Sequence, residues 1–221
     1  MEPQFWHDKW QMQQIGFHQP QVNPLLIRFW SELNLVPMSK IFVPLCGKSL
    51  DMCYLAELGH QVQGCELSQT AIEQFFNDNQ LPFQVQQHTQ HQFYAADQIQ
   101  LIQGDIFALA PSVTADIGGF YDRAALIAWP EEMRQQYAQT LAKLIPADIS
   151  GLLITLDYPQ NTLKGPPFAV SPDWIEQYLS PYFEVTLLAC EDVLADNLRF
   201  VNKQVPWLNE AAYKLTRKKV I

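Results

Sequence analysis

Short apolar runs alternate with amphipathic stretches along almost the whole chain. "KIFVPL", "QVQGCEL", "IQLIQGD", "ADIGGFYD" and "GLLITLDYP" read as strands. Between them, "SLDMCYLAELGH" reads as a helix stopped by Gly59, and "SQTAIEQFFNDN" as one capped by Ser68. "PEEMRQQYAQTLAKLI" is a long helix entered at Pro130. Ahead of the first strand, "NPLLIRFWSELNL" places Asn23 as an N-cap and Pro24 at the first helical position. "SPDWIEQYL" adds a further helix, and "FEVTLLACED" and "AAYKLTRK" close the chain as strands. Strands alternating with helices predict one α/β domain over residues 1–221, with a doubly wound, mostly parallel, seven-stranded sheet covered by helices on both faces. The Gln-rich segment "LPFQVQQHTQHQFYAADQ", residues 81–98, breaks this rhythm and reads as a solvated insertion.

Composition narrows the partners. Hydrophobic residues at 48% and charged residues at 17% describe a globular rather than a disordered chain. A net charge of −9 and a pI near 4.9 argue against a nucleic-acid partner, which needs a basic face. No apolar run approaches the roughly 20 residues that span a bilayer, and the acidic start "MEPQFWHDKW" lacks a secretory apolar core. Cys46, Cys53, Cys65 and Cys190 follow neither disulfide nor zinc spacing, which suits a reducing cytoplasm. His88 and His91 are three apart but have no evident third ligand, so no metal is expected.

Gly47-Lys48-Ser49 follows the first strand as a phosphate loop would. That loop needs a glycine five positions before Gly47, and Phe42 stands there, inside the strand. A different ligand fits this turn. Glu66 ends the second strand 21 residues after Leu45, near the roughly 20-residue offset at which an acid takes the ribose hydroxyls of an adenosine cofactor. The turn has one glycine rather than the three a pyrophosphate requires. An adenosine cofactor without phosphates is S-adenosylmethionine. The competing reading of Glu66 is a bare strand-end carboxylate.

"FWHDKWQMQQIGFHQPQVNPLL", "VPLCGKSLDMCYLAELGHQVQGCELS", "GDIFAL" and "YDRAALIAWP" together resemble the thiopurine S-methyltransferase family, particularly its bacterial members, over essentially the whole chain. The resemblance implies the Rossmann-like sheet of class I S-adenosylmethionine-dependent methyltransferases, with residues 1–22 as an N-terminal helical cover. It implies cofactor contacts from Trp10, Leu45, Glu66, Asp105, Ile106 and Arg123. Phe17 and His18 would face the methyl acceptor, and Arg199 would match a second acceptor-side arginine, although its surroundings depart from the family pattern. For Trp6, Trp10 and Phe17 the bland alternative is a helix face packed on the core.

The implied reaction moves a methyl group to the sulfur of an aromatic or heterocyclic thiol. Such thiols ionise more readily than cysteine, so no strong base is needed, and Arg123 is the candidate for stabilising the thiolate. Asp8 or His18 is a candidate for relaying a proton through water. Two alternatives stand beside this: selenium or tellurium compounds as the natural acceptor, and a non-catalytic S-adenosylmethionine-binding protein. The expected state is a cytoplasmic monomer acting on a small molecule.

Overall fold

A computed structural model of the chain describes residues 2–87 and 91–219. The helices are α1 (Pro3–Gln11), α2 (Pro24–Phe29), α3 (Asp51–Glu57), α4 (Gln69–Asp78), α5 (Glu131–Leu144), α6 (Pro172–Tyr178) and α7 (Leu198–Val201). The strands are β1 (Lys40–Pro44), β2 (Gln61–Glu66), β3 (Gln84–Gln87), β4 (Gln92–Ala96), β5 (Ile99–Gln103), β6 (Gly119–Arg123), β7 (Ser150–Asp157), β8 (Phe183–Asp192) and β9 (Asn209–Arg217). They form one sheet in the order β3-β4-β5-β2-β1-β6-β7-β9-β8. The five strands from β5 to β7 run parallel, and antiparallel pairs extend the sheet on each side.

The expected seven strands are present, and among the described residues the sheet has nine. The two additional strands come from residues 81–98, which are not a loop: β3 and β4 form a hairpin that pairs antiparallel with β5. Burial of Tyr94 and Ala96 against the sheet anchors this hairpin, while all four residues of β3 are exposed. His88 lies outside the described residues, so its relation to His91 is not described.

The helix starts follow from their caps. The Asn23 side chain accepts from the Leu25 and Leu26 N–H groups, the Ser68 hydroxyl from Ala71 N–H, and the Ser171 hydroxyl from Trp174 N–H. Successive strand residues point to opposite faces. Phe42, Phe120 and Leu153 pack under α5 and α6, while Ile41, Val43 and Ile154 pack under α2, α3 and α4. Strand order reverses at β1, with β2 on one side and β6 on the other. The crevice at that point, outside the carboxyl ends, is where such sheets bind ligands. Among the described residues, no helix is long and apolar enough to cross a membrane.

Asp122, at the end of β6, is fully buried and accepts hydrogen bonds from the Tyr137 hydroxyl (2.6 Å) and Leu126 N–H (3.2 Å). Burial outweighs these donors and pushes its pKa up to about 6. The folded value exceeds the unfolded one, so the stabilising contribution is complete below about pH 4 and is lost as pH rises toward 6. Compared with Asp122→Asn, the wild type should lose roughly 2–3 kcal/mol across that window. Urea unfolding of both proteins at several pH values checks this, and a pH-independent difference would contradict it.

Candidate functional site

A cavity of about 410 Å³ opens at the carboxyl ends of the parallel strands. The turn after β1 forms one wall. Leu45 and Gly47 both adopt left-handed backbone, with φ of 45° and 52°. Ala124, immediately after Arg123 at the end of β6, is also left-handed at φ 61°. Strained non-glycine residues therefore sit at the ends of the two strands that flank the switch point, as at many ligand sites. A side chain on Gly47 would meet the Trp10 ring at 3.2 Å, so the left-handed backbone and the close aromatic neighbour both favour glycine here.

Glu66 is 7% exposed and holds the turn together. One carboxylate oxygen accepts Gly47 N–H (2.9 Å) and the other accepts Ser68 N–H (2.8 Å). Burial raises its pKa above the usual carboxylate value, against the pull of the Ser68, Gly47 and Leu67 N–H groups. This geometry also disposes of the phosphate loop. The Gly47 N–H is spent on a carboxylate, and Lys48 forms an ion pair with Asp78 at 2.8 Å.

Asp105 and Ile106 line the same end of the cavity. The Asp105 carboxylate caps a short 3-10 turn by accepting Phe107 N–H, and Ile106 offers a buried apolar face. Trp129 also lines this end, packed on Phe107 with ring centroids 5.1 Å apart. Its buried indole N–H has no partner among the described residues. Trp129 lies within the stretch "YDRAALIAWP", but its place in the site was missed from sequence. A lone aromatic after an apolar run gives no signal of direction.

Arg123 anchors the opposite end. Its Nε–H donates to Asp51 at 2.9 Å, one Nη to the Ser49 hydroxyl at 3.2 Å and the other to the Phe17 carbonyl at 3.5 Å. Asp51, 1% exposed, is itself held by the Tyr121 hydroxyl and Asn23 N–H. Arg123 has five N–H groups, so two remain for a ligand. Its neighbour Asp122 takes no part, because it faces the other side of the sheet. His18 lines the cavity, and burial together with Lys48 and Arg123 holds its imidazole below the ordinary pKa, so the ring is neutral at pH 7. Asp8 is not among the lining residues, and its carboxylate accepts from the Gln4 amide. Arg199 donates to the Pro166 carbonyl at 2.8 Å on a wall that also carries Pro167 and Phe200.

The N-terminal segment lies over both ends. Trp6, Trp10 and Phe17 pack edge to face, with Phe17 5.9 Å from Trp6 and 5.5 Å from Trp10. Trp10 is 2% exposed. These aromatics are packed side chains and cavity lining at once. Trp10, Leu45, Glu66, Asp105, Ile106, Arg123, Phe17, His18 and Arg199 all border this one cavity. Glu210, at the start of β9, borders it too and was missed from sequence.

The residues present fit S-adenosylmethionine. A backbone-fixed carboxylate with spare lone pairs ends β2, where a ribose-binding acid is expected, an apolar face and an unpartnered indole N–H line the same cavity, and the first turn has no free phosphate cradle. The thiopurine S-methyltransferase family profile matches residues 1–218. The thiopurine S-methyltransferase of Shewanella frigidimarina is 68% identical over 218 residues, spanning 99% of this chain and 100% of the relative. That of Shewanella oneidensis is 65% identical over the same spans. Among solved structures, a SAM-dependent methyltransferase from Anabaena variabilis superposes with a TM-score of 0.68 at 16% identity, covering 98% of this chain and 95% of its own. A Burkholderia thailandensis N1-methyltransferase, solved with S-adenosylhomocysteine and its substrate, gives 0.66 at 11% identity, covering 98% and 87%. The chain belongs to the thiopurine S-methyltransferase family and is an S-adenosylmethionine-dependent methyltransferase.

Proposed function

We propose that this protein methylates the sulfur of aromatic or heterocyclic thiols of the thiopurine type. The observation that carries the reading is one continuous cavity joining the Glu66 end to an apolar wall that bears Arg123. The named relatives support the acceptor class. Trp10, Leu45, Glu66, Asp105 and Ile106 would hold the donor, while Phe17, His18, Arg123 and Arg199 face the acceptor. We assign a cytoplasmic location, which the four free cysteines suit, and a monomeric state.

S-adenosylmethionine supplies an activated methyl group on a sulfonium, so the protein's task is alignment and exclusion of water. Trp6, Trp10 and Phe17 exclude water by covering the cavity. Arg123, fixed through Asp51, directs its remaining N–H groups at the acceptor sulfur and favours the thiolate. Neutral His18 is available to pass a proton to water, whereas Asp8 stands outside the cavity lining.

The test is a series of aryl thiols of graded acidity, measured by kcat/KM in wild type, Arg123→Lys and Arg123→Met. Lysine keeps the charge without the planar fork and should retain partial activity. Methionine leaves Asp51 buried without its cation, which costs about 3–5 kcal/mol of stability, so thermal unfolding is followed in parallel. Among folded variants, the weakly acidic thiols should lose most. Equal losses across the series would make Arg123 a structural residue. Adding selenols and tellurite as competitors tests the acceptor itself: preference for either over every thiol would replace the thiol reading, and no turnover with bound cofactor would favour a binding protein.

A further inference from the structure

Glu210 sits opposite Leu156 of β7 at the carboxyl edge of the sheet. It borders the cavity. Its one described side-chain hydrogen bond comes from the Asn23 amide to Oε1, and is long at 3.4 Å. Among the described residues, Oε2 meets no donor. Of the charged groups around it, Arg123 pairs with Asp51 through Nε, and the cross-strand Glu191 pairs with Arg28 at 2.6 Å. Burial pushes the Glu210 carboxyl above its usual pKa, and the Asn23 amide and the Arg123 charge offset this only in part. A partly buried carboxylate normally has a hydrogen-bonding partner. Glu210 borders the same cavity as Arg123, so a ligand there can supply the donor that Oε2 lacks.

We propose that Glu210 is a specificity residue whose free Oε2 accepts a hydrogen bond from the ring N–H of a heteroaryl thiol. Acceptors with an N–H beside the carbon that bears sulfur are then preferred over aryl thiols without one. The inference rests on the thiol-acceptor reading above. It adds a recognition element that an apolar wall lacks, because a site built to hydrogen-bond a donor discriminates strongly against analogues without it.

The experiment compares a benzimidazole thiol, which carries ring N–H, with a naphthalene thiol, which does not. Glu210→Ala should lower kcat/KM for the benzimidazole thiol by about 10- to 100-fold, and Glu210→Gln should lower it less. The naphthalene thiol should stay within about twofold in both, and calorimetric S-adenosylmethionine affinity should be unchanged. A purely structural role through Asn23 would reduce both acceptors alike, and that result, or no loss with either, overturns the proposal. Should the variants fail to fold, wild-type binding decides: an N,N′-dimethylated benzimidazole thione must bind at least about tenfold more weakly than its parent, and equal affinity overturns the inference. If the wild type turns over neither thiol, the thiol reading itself has failed. Turnover of both with an unaltered ratio in the variants sinks only the role of Glu210.

Discussion

Glu66→Ala should weaken S-adenosylmethionine binding by about 1.5–3 kcal/mol, the scale of hydrogen bonds to a charged group. The structure adds a second effect. Both carboxylate oxygens also receive backbone N–H groups, from Gly47 and Ser68, so alanine strands two buried donors. Each costs about 1–3 kcal/mol of stability, and the turn that carries Leu45 loses its tie to β2. Glu66→Gln keeps an acceptor oxygen and should fall between wild type and alanine in both affinity and stability. Calorimetry with chemical unfolding separates the two effects. Unchanged affinity in a folded Glu66→Ala would refute the ribose-binding role.

Deleting residues 1–18 should leave a folded sheet whose kcat/KM has dropped by about 100-fold or more, the scale of lost alignment. The buried residues of the sheet's two apolar layers come from α2 to α6, the strands and their connections, and α1 adds the partly buried Trp6 against one layer. The capping Asn23 and the Asp51–Arg123 pair also remain. What disappears is the cover: Trp10 over Gly47, Trp6 and Phe17 beside it, and the Phe17 carbonyl that meets Arg123. Circular dichroism and steady-state kinetics on the truncated chain check this. Unfolding would show instead that Trp10 is core.

The parallel strands and their helices were legible because each carries a local signal, an apolar run, a capping side chain or a stopping glycine. The β3–β4 hairpin was not. Gln84, Gln86 and Gln87 have no apolar alternation, and their pairing is imposed by the neighbouring strand rather than by preference. Glu66 could be found by counting, since its place depends on the distance from the first turn. The partner of Arg123 could not, because Asp51 lies 72 residues away and reaches it only after α3 packs on the sheet. Glu210 fell one residue before the stretch read as the last strand, "AAYKLTRK", so the pattern assigned it to a connection rather than to the cavity rim.

The open sheet, of nine strands among the described residues, has two borders at which further strands could add. One border is the four-residue β3, too short to template a long partner. The other is β8, ten residues long, broken by a bulge between Leu187 and Ala189 and marked by Glu184, Glu191 and Asp192. Irregular backbone and like charge both oppose pairing with a second copy. The hairpin that stands where a loop was expected therefore leaves that flank of the sheet with a border of only four described strand residues.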